Sequence, residues 1–260
     1  MSEPRFALVP VMSLPVIADD DGDVFLKDMQ KFAGACHRYL GGHGQVDARI
    51  VIGDVGLEFP MFFNRTNLRI EDMLIFGASG HGRIWNNLVS FCLSENKCLK
   101  IQDIFMVTNH LPFHCTIEIF LDICHAAKAA EQHGLHKIWP SDELFSVLNL
   151  RDGEIQPRAG PKMILWTAAG SAGQGVAYFR PGKNSYMLAA ICKILKSHGP
   201  NITRRELYRK IMERLEPLNE KLRQKNKSPQ IPIIFSSVAD RDPVLDGNAL
   251  KPLLLAEEQF

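Results

Sequence analysis

His81 and Cys124 are the residues of this chain best placed for covalent chemistry. Cys124 closes the apolar, β-leaning run TIEIFLDIC from Thr116, and His81 follows the run Met73–Gly77 in the turn Gly77-Ala78-Ser79-Gly80-His81-Gly82. A thiol attacks a carbonyl as the thiolate, so it needs a proton acceptor or a field that favours the anion. Imidazole is the usual acceptor because it titrates near neutral pH. The two must meet in space, and neighbouring parallel strands that each end in one partner would set them across a short gap. The oxyanion then needs backbone N–H donors. Gly82, whose backbone can come close, and Cys124 itself are the expected donors. Each residue alone has a plainer reading: a cysteine at a strand end is commonly a small buried residue, and a histidine in a glycine turn is commonly structural.

The elements that must position this pair alternate along the chain. Strands are expected at Phe6–Leu14, Ala48–Ile52, Met73–Gly77, Thr116–Cys124, Met163–Ala168 and Ile231–Phe235. Phe25, Met29, Phe32, Ala33, Cys36 and Leu40 recur at helical spacing, after the loop Asp19–Asp23 and before Gly41-Gly42. A short helix is expected at Phe59–Leu68, a hairpin at Leu88–Gln102 around Ser94–Lys97, and a helix at Asp103–Leu111. Ser185–Leu195 reads as a helix, and Thr203 with Glu206 opens a long polar one that ends near Asn226. Such alternation predicts an α/β fold with a mostly parallel central sheet and helices on both faces. Reactive groups in such sheets collect at the carboxyl ends of strands.

Bulk properties are ordinary for a soluble globular protein with a sizeable core. The 260 residues are 46% hydrophobic and 23% charged, with a formal net charge of +1. No basic excess points to nucleic acid or an acidic membrane surface. The first residues lack the pattern of a signal peptide, no stretch is long and apolar enough to span a bilayer, and a cytoplasmic location is expected. Six cysteines without paired short spacings fit reduced thiols better than a disulfide framework.

The wording around the two residues resembles the caspase-like cysteine peptidases: caspases, metacaspases and paracaspases. Their first signature is an acidic residue, a hydrophobic strand and Ser-Gly-His-Gly, matched here by EDMLIFGASGHG (Glu71–Gly82). Their second is a hydrophobic strand ending Asp-x-Cys, often followed by His, matched by IFLDICHAA (Ile119–Ala127). The segments MILWTAAGSAGQGVAYF and NSYMLAAICKIL look like the family's later strand, substrate-lining loop and helix. Ala126-Ala127 departs from the Ser-Gly that many members have after the His next to the cysteine, here His125. The resemblance implies a caspase-like three-layer sandwich and a cysteine endopeptidase with His81 and Cys124 as its dyad. It also implies one peptidase domain over residues 1–260. A large-subunit-like part spans about 1–150, a linker about 151–162, a small-subunit-like part about 163–240 and a tail 241–260.

Asp122 lies two residues before Cys124, so strand alternation puts both side chains on one face. A carboxylate there would attract a basic residue just before the scissile bond and repel an acidic one. In the basic-specific members an aspartate at this position helps to form the pocket for Arg or Lys, and a second acid sits near the start of the first helix. Asp23, in GDVFLKDM, is the best match, although it could equally be a helix N-cap. Cleavage after Arg or Lys is the resulting expectation. The linker holds Arg151, Arg158 and Lys162 among Gly153, Pro157, Gly160 and Pro161, so self-cleavage is expected there.

Other readings stay open. The Gly77–Gly82 turn also looks like a nucleotide-binding turn, with Asp103 near a ribose-binding position, but the G-x-G-x-x-G spacing is absent. Zinc is disfavoured: Cys92, Cys98, His110, His114, Cys115 and Cys124 include no C-x-x-C pair, and Pro112 interrupts the histidine spacing. No cofactor is expected, and Asp19–Asp23 lacks an EF-hand pattern that would support calcium dependence. A third reading is an inactive or partner-activated scaffold. The expected partners are a protein or peptide substrate and a regulatory protein. The tail leaves both packing back and docking a partner open.

Overall fold

The computed structural model describes residues 6–13, 22–40, 46–52, 73–92, 98–109, 111, 115–140, 160–168, 176–179, 185–198 and 201–253; for 6–13, 22–24, 26, 46–52 and 92 it describes the backbone alone. Seven strands form the main sheet: β1 (Phe6–Ser13), β2 (Val46–Ile52), β3 (Met73–Ser79), β7 (Thr116–Asp122), β8 (His136–Trp139), β9 (Lys162–Thr167) and β10 (Ile233–Ser236). Their order is β2-β1-β3-β7-β9-β10-β8. The pairs from β2 to β9 are parallel, whereas β10 runs antiparallel to both β9 and β8. The mostly parallel sheet expected from the sequence is therefore present, with an antiparallel edge.

The central strands β3, β7 and β9 are buried along their whole length, which is why they read as mostly apolar runs. One face carries α1 (Gly22–Leu40), α4 (Tyr186–Ser197), α5 (Arg204–Gln224) and α6 (Arg241–Asp246), packed on Met73, Ile75, Phe120, Ile164 and Trp166. The other face carries α2 (Ile101–Thr108) and α3 (Ala126–Gln132), packed on Leu74, Phe76, Ile117, Ile119 and Leu165. A separate three-stranded sheet, β4 (Gly82–Trp85), β5 (Leu88–Cys92) and β6 (Cys98–Lys100), lies on that second side. Asn86 and Asn87 both take positive φ, 46° and 62°, and make the two-residue turn between β4 and β5.

One charge sits in the middle of β7. Glu118 is fully buried and pairs with the buried Arg204 at 3.0 Å. It also accepts from Trp166 Nε1 at 2.8 Å, from Arg204 Nε at 3.1 Å and from the Leu250 amide at 2.9 Å. Both oxygens are thereby satisfied, as burial of an ion pair demands. The chain beyond α6 packs back on the sheet: Leu253 N donates to Thr116 Oγ1, and Lys162 Nζ donates to the Leu253 carbonyl, both at 2.8 Å. Lys162 thus belongs to a buried strand, not to the linker assigned from composition, because its stem and ammonium are taken up by the returning tail. The helix expected at 59–68, together with Arg151 and Arg158, lies outside the described residues.

Candidate active site

β3 and β7 are adjacent and in register to their last pair, Ser79 with Asp122. The Gly80 amide then donates to the Asp122 carbonyl at 3.3 Å, so the two chains leave the sheet together. Gly82 comes against the Cys124 backbone: a Cβ built on it would lie 2.3 Å from the Cys124 carbonyl oxygen and 3.3 Å from its nitrogen. No side chain fits there, which explains the glycine after His81. The two strand ends predicted to hold the pair are therefore neighbours.

His81 is exposed, with its ring set edge-on to Phe25 at 5.3 Å between centroids and 6.4 Å from Phe179. Phe25 and Phe179 themselves meet at 5.0 Å and form an aromatic wall behind the imidazole. Cys124 is half-buried and leads into α3 through His125, whose φ of 64° makes a sharp strand-to-helix turn. Burial pushes the Cys124 thiol up, a backbone hydrogen bond with Ala177 opposes this, and the Asp122 charge pushes it further. Burial and the Asp122 charge together favour the thiol over the thiolate.

Asp122 is fully buried, on the α1/α4 side of the sheet, and its carboxyl is pushed up to about 7. Burial is the main cause. Hydrogen bonds from the Ser185 hydroxyl and from the Leu188 amide at 3.1 Å oppose it, and the nearby Asp28 adds to it. Asp122 Oδ1 is buried with no hydrogen-bond partner among the described residues. Asp28, also buried, accepts from the Ser185 amide at 2.7 Å.

Asp28 and Ser185 are the residues that sequence reasoning did not single out. Their signal is in the pattern: Asp28 falls on the same helical stripe as Phe25, Met29 and Phe32, and a carboxylate on an apolar stripe needs a reason. Asp23 lies in the first turn of α1, with its side chain outside the described residues.

The glycine turn is arranged unlike a phosphate cradle. Gly77 lies inside β3, where an added Cβ would meet the Phe32 ring at 2.7 Å, and the residues after His81 enter β4 instead of opening a helix. Among the described residues no group of three or more His, Cys, Asp or Glu is placed to hold a metal ion. Also among them, no helix is long and apolar enough to cross a membrane.

No protein-family model matches the chain, and no curated protein matches it. Solved structures do. Protein GSU0716 of Geobacter sulfurreducens superposes with a TM-score of 0.64 at 13% identity, over 96% of this chain and 100% of its own. Caspase-1 of Spodoptera frugiperda superposes with a TM-score of 0.53 at 10% identity, over 89% of this chain and 85% of its own. Identities this low speak for architecture alone, and with the sheet order and two helical layers described above they establish that the chain has a caspase-like fold.

Proposed function

We propose that the protein is a cysteine endopeptidase that cleaves after a basic residue, Arg or Lys, with Cys124 as nucleophile and His81 as its base. The observation that carries this reading is the backbone contact of Gly82 with Cys124, which puts the residue after the imidazole against the residue bearing the thiol. His81 takes the thiol proton as Sγ bonds to the substrate carbonyl carbon. The Gly82 and Cys124 amides receive the oxyanion. His81 then returns the proton to the leaving amine, and water hydrolyses the acyl-enzyme.

Asp122 gives the substrate side chain its specificity, with Asp28 as its neighbour; Asp23 is a further carboxylate to test in the same role. A buried carboxyl with one oxygen unpartnered and a second acid beside it offers an incoming guanidinium both charge and acceptors. Neutralising Asp122 also removes a charge that holds the Cys124 thiol protonated. A basic substrate would thus assist the ionisation of its own nucleophile.

Fluorogenic peptides with Arg, Lys or Asp at the cleaved position test the reading, with Cys124→Ala and His81→Ala as controls and with calcium or chelator present in parallel. Arg or Lys turnover that both substitutions abolish is the expected result. Preference for Asp would sink the pocket, and no thiol-dependent turnover would leave a non-catalytic scaffold. Self-cleavage at Arg151 or Arg158 predicts two bands from wild type and one from Cys124→Ala.

A further inference from the structure

We propose that Cys92 and Cys98 form a reversible, hydroperoxide-driven disulfide in the small sheet beside the active site. The two residues are direct cross-strand partners of the antiparallel pair β5–β6. Directly opposed residues share a face, and their Cα atoms lie about 4.5 to 5.5 Å apart, inside the range of about 4.4 to 6.8 Å that a disulfide spans. The backbone register therefore brings the two positions within the span of the bond.

A second feature acts on the same position. Arg83 on β4 stands opposite Ser90, which stands opposite Lys100. Alternation puts these residues on the face that carries Cys92 and Cys98. The Arg83 guanidinium uses that face: Nε and Nη2 reach Cys98 Sγ at 3.1 and 2.6 Å. Donors and positive charge at the sulfur support the negative charge it carries while attacking an O–O bond. β6 is an edge strand of its sheet, and Cys98 is only half-buried, so small oxidants have access.

The step balances. Cys98 attacks the terminal oxygen of a hydroperoxide, becomes a sulfenic acid and releases water or the alcohol. The Cys92 thiol then displaces the sulfenic hydroxyl as water, and the S–S bond forms. Both sulfurs are oxidised and one hydroperoxide is reduced. A thiol reductant reverses the bond. This inference is independent of the proposed peptidase activity.

The test oxidises the full-length Cys124→Ser protein with graded hydrogen peroxide. It is then blocked with iodoacetamide under denaturing conditions and digested with trypsin, which cuts after Lys97 and separates the two cysteines. Mass spectrometry should find the two peptides joined, and separate after reduction. Cys92→Ser should leave a dimedone-reactive sulfenic acid on Cys98. Arg83→Ala should need several-fold more peroxide for half-oxidation, and Arg83→Lys, checked for the same circular dichroism, should retain most of the sensitivity. Independent alkylation of both cysteines at doses that oxidise the Cys124 thiol of wild type would overturn the proposal. So would bonding of Cys98 to another cysteine, or equal peroxide sensitivity of wild type and Arg83→Ala.

Discussion

Asp28 and Asp122, from a helix and a strand far apart in sequence, are joined through a single residue. The Ser185 amide donates to Asp28 at 2.7 Å, and the Ser185 hydroxyl meets Asp122. The Asp28 carboxyl adds to the proton affinity of Asp122, and a guanidinium would relieve that pressure. Removing either acid would leave a buried, poorly matched cation. Asp122→Asn and Asp28→Asn should therefore lower kcat/KM for Arg peptides by on the order of 100-fold or more, while active-site labelling of Cys124 by a small alkylating agent persists.

The pH profile should carry the same signature. Asp122, with its carboxyl at about 7 in the free protein, binds a cation as the ionised form. In wild type, kcat/KM for an Arg substrate should rise with pH through about 7. In Asp122→Asn the part of that limb that belongs to Asp122 should be missing. A profile unchanged by the substitution would remove Asp122 from substrate recognition.

Stability should respond in the opposite sense. The Asp122 carboxyl titrates near 7 when folded, against an ordinary value of 3.8. The folded protein holds this proton while the unfolded chain releases it. This group's contribution is therefore greatest below about pH 4, declines as pH rises to about 7, and is flat above that. Asp122→Asn should raise thermal stability at pH 8 by roughly 1 to 3 kcal/mol, and should change it little at pH 4. Loss of activity with a gain in stability distinguishes a binding carboxylate from a structural one.

Two glycines make a matched pair. Gly82→Ala would drive a methyl to 2.3 Å from the Cys124 carbonyl oxygen, so the two backbones must separate. Activity should fall by about 100-fold or more through the loss of one oxyanion donor and of alignment. Gly34, exposed inside α1, has nothing within 4 Å of an added Cβ. Gly34→Ala should stabilise by about 0.5 to 1 kcal/mol and leave turnover alone. Thermal melts and peptide kinetics on both variants measure the contrast.

What the sequence makes legible follows burial. β3, β7 and β9 are mostly apolar because both faces are covered, and β3 and β7 lead to His81 and Cys124. β8 (HKIW) and β4 (GRIW) are four residues each, with half-exposed positions, and leave no periodic trace. α3 is hidden for another reason: its small alanines serve close packing under the sheet and carry no amphipathic contrast. The antiparallel course of β10 depends on where its neighbours lie, which no local pattern encodes. Asp122 was readable from its distance to Cys124, whereas Asp28 shows its role only when α4 brings Ser185 to it.

The buried Glu118–Arg204 pair has a consequence for chain continuity. With Trp166, Leu250, Thr116 and Leu253, it fastens β9, α5 and the returning tail to the strand that leads to Cys124. None of these bonds runs through residues 141–159. Fragments 1–140 and 160–260, co-expressed, should copurify, and Glu118→Ala should abolish copurification through a loss of about 3 to 5 kcal/mol. A cut between Pro140 and Gly160 would convert an intramolecular fold into a noncovalent heterodimer without removing any hydrogen bond of that network.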